Sequence, residues 1–451
     1  MKKTLIRGGT VLTMNARSEI VRDGCVLLEG RRILYVGGRE GLGDCAADEV
    51  IEAHGQVVMP GLVNAHTHLC MIFGRTLGTS TTLLSWLDIH IPIIEQLDDE
   101  AMYTAQLLGC LENLKNGNTT VVENLFAPHT AGRHPADAAF RAMRASGVRG
   151  TVARAHKLTN FRPSFVQTPD EFTQELEQLA ASWNGAENGR LSLSFGPLLP
   201  WSTTLEGLRR TRALADRLKI GIHMHVAESP HWNERVAAHY GRPISQVALL
   251  HEAGCLGPDV QAIGVADISA TDMALLKQTS TAIVFDPQTR LFWGTGFPSM
   301  LPFIEAGLRC ALATNGPAAN CGQDLFETMK YACATAKTAS GMPSALSARK
   351  ALRMATIEGA AALGLGESIG SLEPGKLADL ITVGVDTARF TPAHDIEAAL
   401  VFCARGSDVR NVFVDGAHLV RDGRATAIDE AALIADAASM SRSAVERALP
   451  Q

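Results

Sequence analysis

Eight short apolar runs, each followed by an amphipathic stretch, constrain this chain more than any other feature. The runs are Val57–Val63, Thr119–Glu123, Gly150–Ala155, Leu191–Gly196, Ile220–Val226, Gln261–Val265, Ala282–Phe285 and Cys310–Ala313. Helical patterns lie between them, among them Asp99–Asn116, Asp170–Trp183 and Thr204–Leu218. In the first, Ala105, Leu108, Leu111 and Leu114 recur at helical spacing and Gly117 supplies a stop. Eight strand–helix alternations predict a closed parallel (β/α)₈ barrel, a TIM-like α/β fold, rather than an open sheet. In such barrels the chemistry gathers at the C-terminal ends of the strands.

The 451 residues suit a barrel of roughly 300 residues plus a smaller unit. Residues 1 to 57 read as short strands separated by glycine turns, with Gly8-Gly9, Asp23-Gly24 and Gly37-Gly38 as punctuation. The same style returns in Leu380-Ile381-Thr382-Val383 and Val412-Phe413-Val414-Asp415-Gly416. The expected organisation is a barrel over 58–367, flanked by two parts of one small β-sandwich, 1–57 and 368–451, the latter ending in a helix. Net charge is −6 and no basic tract is interleaved with aromatics, which argues against nucleic acid as a partner. No apolar stretch approaches the roughly 18 residues of a membrane span, and the start does not read as a signal peptide. Nine scattered cysteines, with no Cys-x-x-Cys pair, suit reduced thiols in the cytoplasm. Cys70 reads as buried filler rather than a nucleophile.

The strongest chemical signal is Pro60-Gly61-Leu62-Val63-Asn64-Ala65-His66-Thr67-His68. Side chains two apart on an extended segment point to one side, so His66 and His68 can present both imidazoles to one point. Two neutral imidazoles at a strand end favour zinc or a similar divalent ion. A second strand ends in His223-Met224-His225-Val226-Ala227-Glu228. His225 would complete a three-histidine set with an open coordination position, the pattern of catalytic zinc. Glu228 could reach a bound water and act as general base, then acid. His223 sits one layer deeper, where packing or a hydrogen bond to a ligand is the expected role.

These two motifs, together with Gly370-Ser371-Leu372-Glu373-Pro374-Gly375-Lys376-Leu377-Ala378-Asp379, resemble the amidohydrolase superfamily over nearly the whole chain. The branch is that of triazine hydrolases and nucleobase deaminases, which takes in atrazine chlorohydrolase and adenosylhomocysteine deaminase. The resemblance implies a mononuclear site, zinc in first place and iron in second, with His66, His68 and His225 as ligands and Glu228 as proton shuttle. It implies a structural role for the 370–379 segment, and homodimers are common among the members.

Three departures from the family pattern stand out. Its eighth strand normally ends Thr-Asp-Gly, whereas this chain has Thr314-Asn315-Gly316. Asparagine can offer a carbonyl oxygen but cannot accept a proton as a carboxylate does. The family's sixth strand ends in a histidine where this chain has Gly264, and the seventh continues Phe285-Asp286-Pro287 in place of His-Cys-Pro. A single engineered Asp-to-Asn change would account only for Asn315, and loss of catalysis leaves the retained histidines and Glu228 without a reason. Natural divergence accounts for all three. Asp267 and Asp286 are candidates for relocated acids, although a solvated or turn carboxylate is the commoner outcome.

The expected substrate-facing residues are Trp86, in the apolar stretch of Leu83, Leu84, Leu87 and Ile89, with Trp201, Arg290 and Trp293. The expected activity is hydrolysis of a C–N or C–halide bond in a small planar nitrogen-containing compound. Asn315 would orient rather than accept the proton. The alternative is a divergent homologue that is catalytically silent or works without metal as a lyase or isomerase.

Overall fold

The computed structural model of the protein describes residues 1–43, 46–129, 132–266, 268–294 and 299–449. Eight parallel strands stand in sequence order around a barrel: Leu62–Thr67, Asn118–Leu125, Arg149–His156, Leu191–Pro197, Ile222–His225, Val260–Ile263, Ala282–Phe285 and Cys310–Leu312. Every residue of the first two is buried, as expected of parallel strands covered on both faces. The first and eighth strands meet where Asn315 N donates to His66 O at 3.1 Å and Thr314 N donates to Asn64 Oδ1 at 3.1 Å. Beneath that seam Asn64 Nδ2 donates to Asn113 Oδ1 at 2.9 Å and to Thr314 Oγ1 at 2.8 Å. Paired amides thus satisfy the polar groups that the closure buries.

The run Val57–Val63 does not form one strand. Gln56–Pro60 pairs antiparallel with Leu380–Gly384 in a second sheet, and the barrel strand starts at Leu62. Gly61 makes the passage, because a β-carbon there would lie 2.1 Å from Thr119 Oγ1.

The second sheet has nine strands drawn from both ends of the chain. Lys3–Leu12, Ile20–Glu29, Arg32–Gly38, Glu49–Glu52 and Gln56–Pro60 come from one end; Leu380–Gly384, Val409–Val414, Ala417–Arg421 and Arg424–Ala425 come from the other. Ile6, Val26, Leu28, Val58, Leu380 and Phe413 share one buried cluster, so neither terminal segment completes this core alone. Asp379, the last residue of the Gly-Ser-Leu-Glu-Pro-Gly-Lys-Leu-Ala-Asp segment, accepts from Arg149 Nε at 2.7 Å and Nη2 at 2.9 Å. Both partners are buried, and the pair ties the start of the third barrel strand to the second sheet.

The C-terminal helix, Glu430–Ala448, lies against the barrel helices Leu83–Glu95 and Asp99–Lys115. Ser441 Oγ on that helix donates to Phe73 O at 2.9 Å, bracing the segment that follows His68. No helix among the described residues is long and apolar enough to cross a membrane. The eight described cysteines are all free.

Candidate metal centre

The first barrel strand ends at His66 and Thr67, and His68 opens a 3₁₀ turn, Leu69–Gly74. That turn is fixed by buried Glu123, whose carboxylate accepts from Leu69 N at 2.5 Å, Cys70 N at 3.2 Å and Gln106 Nε2 at 2.8 Å. Burial raises Glu123 to about 7, and these hydrogen bonds oppose the rise. Burial also holds the Cys70 thiol well above its ordinary range, consistent with an inert filler.

His66, His68 and His225 converge so that one ring nitrogen of each lies within 4.8 Å of the other two. Which nitrogens face inward follows from the partners of the others. His68 Nδ1 donates to Asn124 O at 2.7 Å, and His225 Nδ1 donates to Leu198 O at 3.2 Å. His66 Nδ1 stands 3.0 Å from His223 Nε2. His66 Nε2 is buried without a partner. Each ring therefore has its Nδ1 engaged from behind and its Nε2 lone pair free, the arrangement that orients imidazoles toward a cation. Burial, reinforced by the neighbouring imidazoles, pushes the pKa of His66 and His68 well down, so both are neutral and able to ligate. Burial likewise lowers His225. Donor type, number and convergence fit one divalent ion with an open position.

Glu228 follows the fifth strand by three residues, past Ala227 in the left-handed region at φ 51°. Its carboxyl faces the cavity beside the histidines and is raised to about 7 by burial, with the Arg290 charge opposing. Arg290 Nη2 donates to Glu228 O at 2.9 Å, so that arginine fastens the Glu228 backbone. Gly264, at φ 74°, explains why the sixth strand carries no side chain here: a β-carbon would stand 2.7 Å from Glu228 Cγ and 2.8 Å from Oε1. Glu228 fills the volume that a residue on strand six would need.

Asn315 sits in the left-handed region at φ 60°, with its amide committed on both ends. Its Nδ2 donates to Asp286 Oδ2 at 2.5 Å and its Oδ1 accepts from Gly316 N at 2.6 Å. Asp286 is thus no solvated turn carboxylate. It is buried at the end of the seventh strand, raised by burial to about 6 while the Asn315 hydrogen bond opposes the rise. Its position directly after the last residue of a barrel strand was the available sequence signal. Asp267 lies outside the described residues.

Above these groups is an apolar slot of ≈ 90 Å³ that continues into an outer cavity of ≈ 710 Å³, with Leu83, Glu228, Trp232 and Trp293 lining both. Trp86 lines the slot from the helix Leu83–Glu95, stacked on His90 at 3.9 Å and edge-on to Trp293 at 5.4 Å. Trp201 does not line it. Trp201 stacks behind Trp232 at 4.5 Å, and Trp232 takes the place facing the cavity. Phe126, packed edge-on to His68 at 5.3 Å, is another lining residue without a sequence signal. Arg290 borders the outer cavity rather than the slot.

A parallel eight-stranded barrel with three buried histidines at its mouth, completed by a sheet from both termini, defines a class of metal-dependent hydrolase folds. Residues 57–419 match the amidohydrolase family, and the chain belongs to that family. It is 34% identical over 449 residues to 5'-deoxyadenosine deaminase of Methanosarcina acetivorans, covering 99% of this chain and 100% of the relative. It is 33% identical over 439 residues to 5-methylthioadenosine/S-adenosylhomocysteine deaminase of Pelotomaculum thermopropionicum, covering 97% and 98%. Among solved structures, an adenosine deaminase from Xanthomonas campestris with bound zinc superposes with a TM-score of 0.91 at 27% identity, covering 98% of each chain. Atrazine chlorohydrolase TrzN of Arthrobacter aurescens TC1, complexed with zinc, shares the fold with a TM-score of 0.92 at 24% identity, covering 97% of this chain and 100% of that one.

Proposed function

We propose that this protein is a hydrolase that uses water to break a C–N bond, releasing ammonia or an amine, or a C–halide bond, in a small planar nitrogen-containing compound. His66, His68 and His225 would hold one divalent ion, zinc in first place and iron in second. The observation that carries the reading is the engagement of all three Nδ1 atoms, which leaves the Nε2 atoms facing one another beside Glu228. A bound divalent ion supplies Lewis acidity that makes water nucleophilic near neutral pH.

The chain's own residues do the rest. Glu228, with a carboxyl raised toward neutrality, takes a proton from the attacking water and returns it to the leaving nitrogen. In C–N cleavage one water is consumed and one ammonia or amine leaves carrying the water's proton; in C–halide cleavage the halide leaves as the anion and Glu228 passes that proton to solvent. Trp86 and Trp293 enclose a flat ring and keep bulk water from the slot. Asn315 orients the water and does not take its proton. The deaminases among the relatives support C–N cleavage, and the apolar slot supports a planar ring.

The test pairs metal quantification with activity on a panel of triazines, pyrimidines, purines and simple ureas. About one equivalent of metal, turnover on the panel, and loss of that turnover in Glu228→Gln with metal content unchanged are the expected results. Full activity in Glu228→Gln, or after exhaustive chelation, overturns the mechanism.

A further inference from the structure

The eighth strand of this barrel ends in an amide, yet a buried carboxylate still stands beside it. Asp286 directly follows the neighbouring strand, and its Oδ2 receives Asn315 Nδ2 at 2.5 Å, a close contact of the kind that an ionised acceptor strengthens. The contact fixes which end of the amide points where. With Nδ2 turned to Asp286, Oδ1 is the end that meets Gly316 N, at 2.6 Å. A carbonyl oxygen has two lone pairs, so one remains after that bond. Asn315 lines the slot together with Glu228, His68 and His225. An amide whose N–H leans on a carboxylate carries more negative charge on its oxygen, because hydrogen bonds in a chain polarise one another.

We infer that Asp286 and Asn315 act as one unit, in which Asp286 is a positioning residue that orients and polarises the Asn315 amide so that its Oδ1 accepts a hydrogen bond from the attacking water. The carboxylate stands one strand back and reaches the reaction through an amide. No proton passes to Asp286, and Glu228 remains the proton carrier. The inference rests on the hydrolytic reading above. It accounts for an amide at 315 facing an aspartate at 286 in this chain: two carboxylates at that separation would repel, whereas a carboxylate and an amide pair. It also gives buried Asp286 a partner that depends on it.

Four variants test it: Asp286→Asn, Asn315→Asp, the exchange Asp286→Asn/Asn315→Asp, and Glu228→Gln as control. Each is measured for kcat and KM on the panel compound that the unaltered protein turns over fastest, for metal content, and for Tm of the metal-free protein. Asp286→Asn should lower kcat by on the order of 10²-fold with KM nearly unchanged, as expected of a misdirected group. Asn315→Asp should lower Tm in the metal-free protein, because two carboxyl groups then face each other in a buried site. The exchange should recover Tm and at least a tenth of the original kcat, since it restores one carboxylate and one amide. A kcat within twofold of the original in folded Asp286→Asn, alongside inactive Glu228→Gln, overturns this inference and leaves the hydrolytic reading standing. An exchange variant no better in either Tm or kcat than the worse single variant overturns the paired-unit idea. Equal turnover by Glu228→Gln and the unaltered protein removes Glu228 as the proton carrier instead, and the Tm cycle over 286 and 315 still reports whether the two side chains are coupled.

Discussion

Replacing Gly264 with alanine should separate catalysis from folding more sharply than any other single change. The added methyl meets two obstacles. The backbone at 264 has φ 74°, in the left-handed region, where an L-residue costs about 1–2 kcal/mol relative to glycine. Unfolding entropy near 2.1 cal/mol/K per residue makes that about 1–2 °C in Tm for a chain of 451 residues, if it unfolds in one step. The second obstacle is Glu228. The new carbon would stand 2.7 Å from Cγ and 2.8 Å from Oε1, roughly 0.7 Å short of ordinary contact. Glu228 has little freedom to give way along its backbone, since its carbonyl is held by Arg290 at 2.9 Å. The side chain must therefore rotate, carrying its carboxyl away from the three histidines. A displacement approaching 1 Å costs about 10²-fold in a reaction that depends on placement. The expected phenotype is a Tm within a few degrees of the original, full metal content, and kcat/KM reduced by roughly two orders of magnitude. Differential scanning fluorimetry, metal analysis and steady-state kinetics on the same preparation measure all three. A folded, metal-replete Gly264→Ala with kcat/KM within threefold of the original would refute the claim that Glu228 occupies this volume during the reaction. Restoring histidine at 264 should fare worse than alanine, because the space is already taken.

The acidity of Glu228 also has a thermodynamic signature. Its folded pKa of about 7 lies above the ordinary 4.5, so the folded state holds this proton more tightly than the unfolded chain does. That contribution to stability is present below about 4.5 and is lost as pH rises through 7. In metal-free protein, the Tm of Glu228→Gln should therefore gain on the original between pH 4.5 and 7 and level off above; a difference that stays flat or shrinks over that window contradicts the burial of an ionisable group there. Asp379→Ala removes the bidentate partner of buried Arg149, which keeps Asp415 at 3.3 Å, and an acceptor of Asp415 N at 2.7 Å, and should destabilise by about 2–3 kcal/mol in denaturant unfolding. A loss below about 1 kcal/mol would show that the Arg149–Asp379 pair is not what ties the barrel to the second sheet.

The parts of this molecule that could be read from the chain were those set by local spacing. His66 and His68 are legible because alternation along a strand puts both rings on one side, and His225 and Glu228 because one marks a strand end and the other follows it closely. The eight strands were legible because runs buried on both faces are mostly apolar; Ala282–Phe285 fell where expected, six others shifted by no more than two residues at either end, and the first shifted by five and four. Val57–Val63 misled for the same reason. Two strands of different sheets are both apolar, and the tight passage between them at Gly61, beside Thr119, shows only in three dimensions. Trp201 and Trp232 could not be ranked from sequence, since the two indoles stack and only the three-dimensional order decides which faces the cavity.

Asp286 was the harder case, and its difficulty is instructive. A carboxylate followed by proline reads as the start of a turn, and Asp286 does precede the first residue of a short helix, Pro287–Phe292. No side-chain cap is made there, because the carboxylate turns to Asn315 on the adjacent strand instead. The three departures from the family pattern then cease to be independent. Gly264 leaves volume for Glu228, and the aspartate at 286 accepts from the amide of Asn315, whose oxygen meets Gly316 N. Substituting any one position toward the family's usual residue should therefore impair this site. A histidine at 264 would overlap Glu228, and an aspartate at 315 would face Asp286. The three positions are therefore coupled through space, and beside them the buried carboxyl of Glu228 and the nitrogens of His66, His68 and His225 still gather around one point.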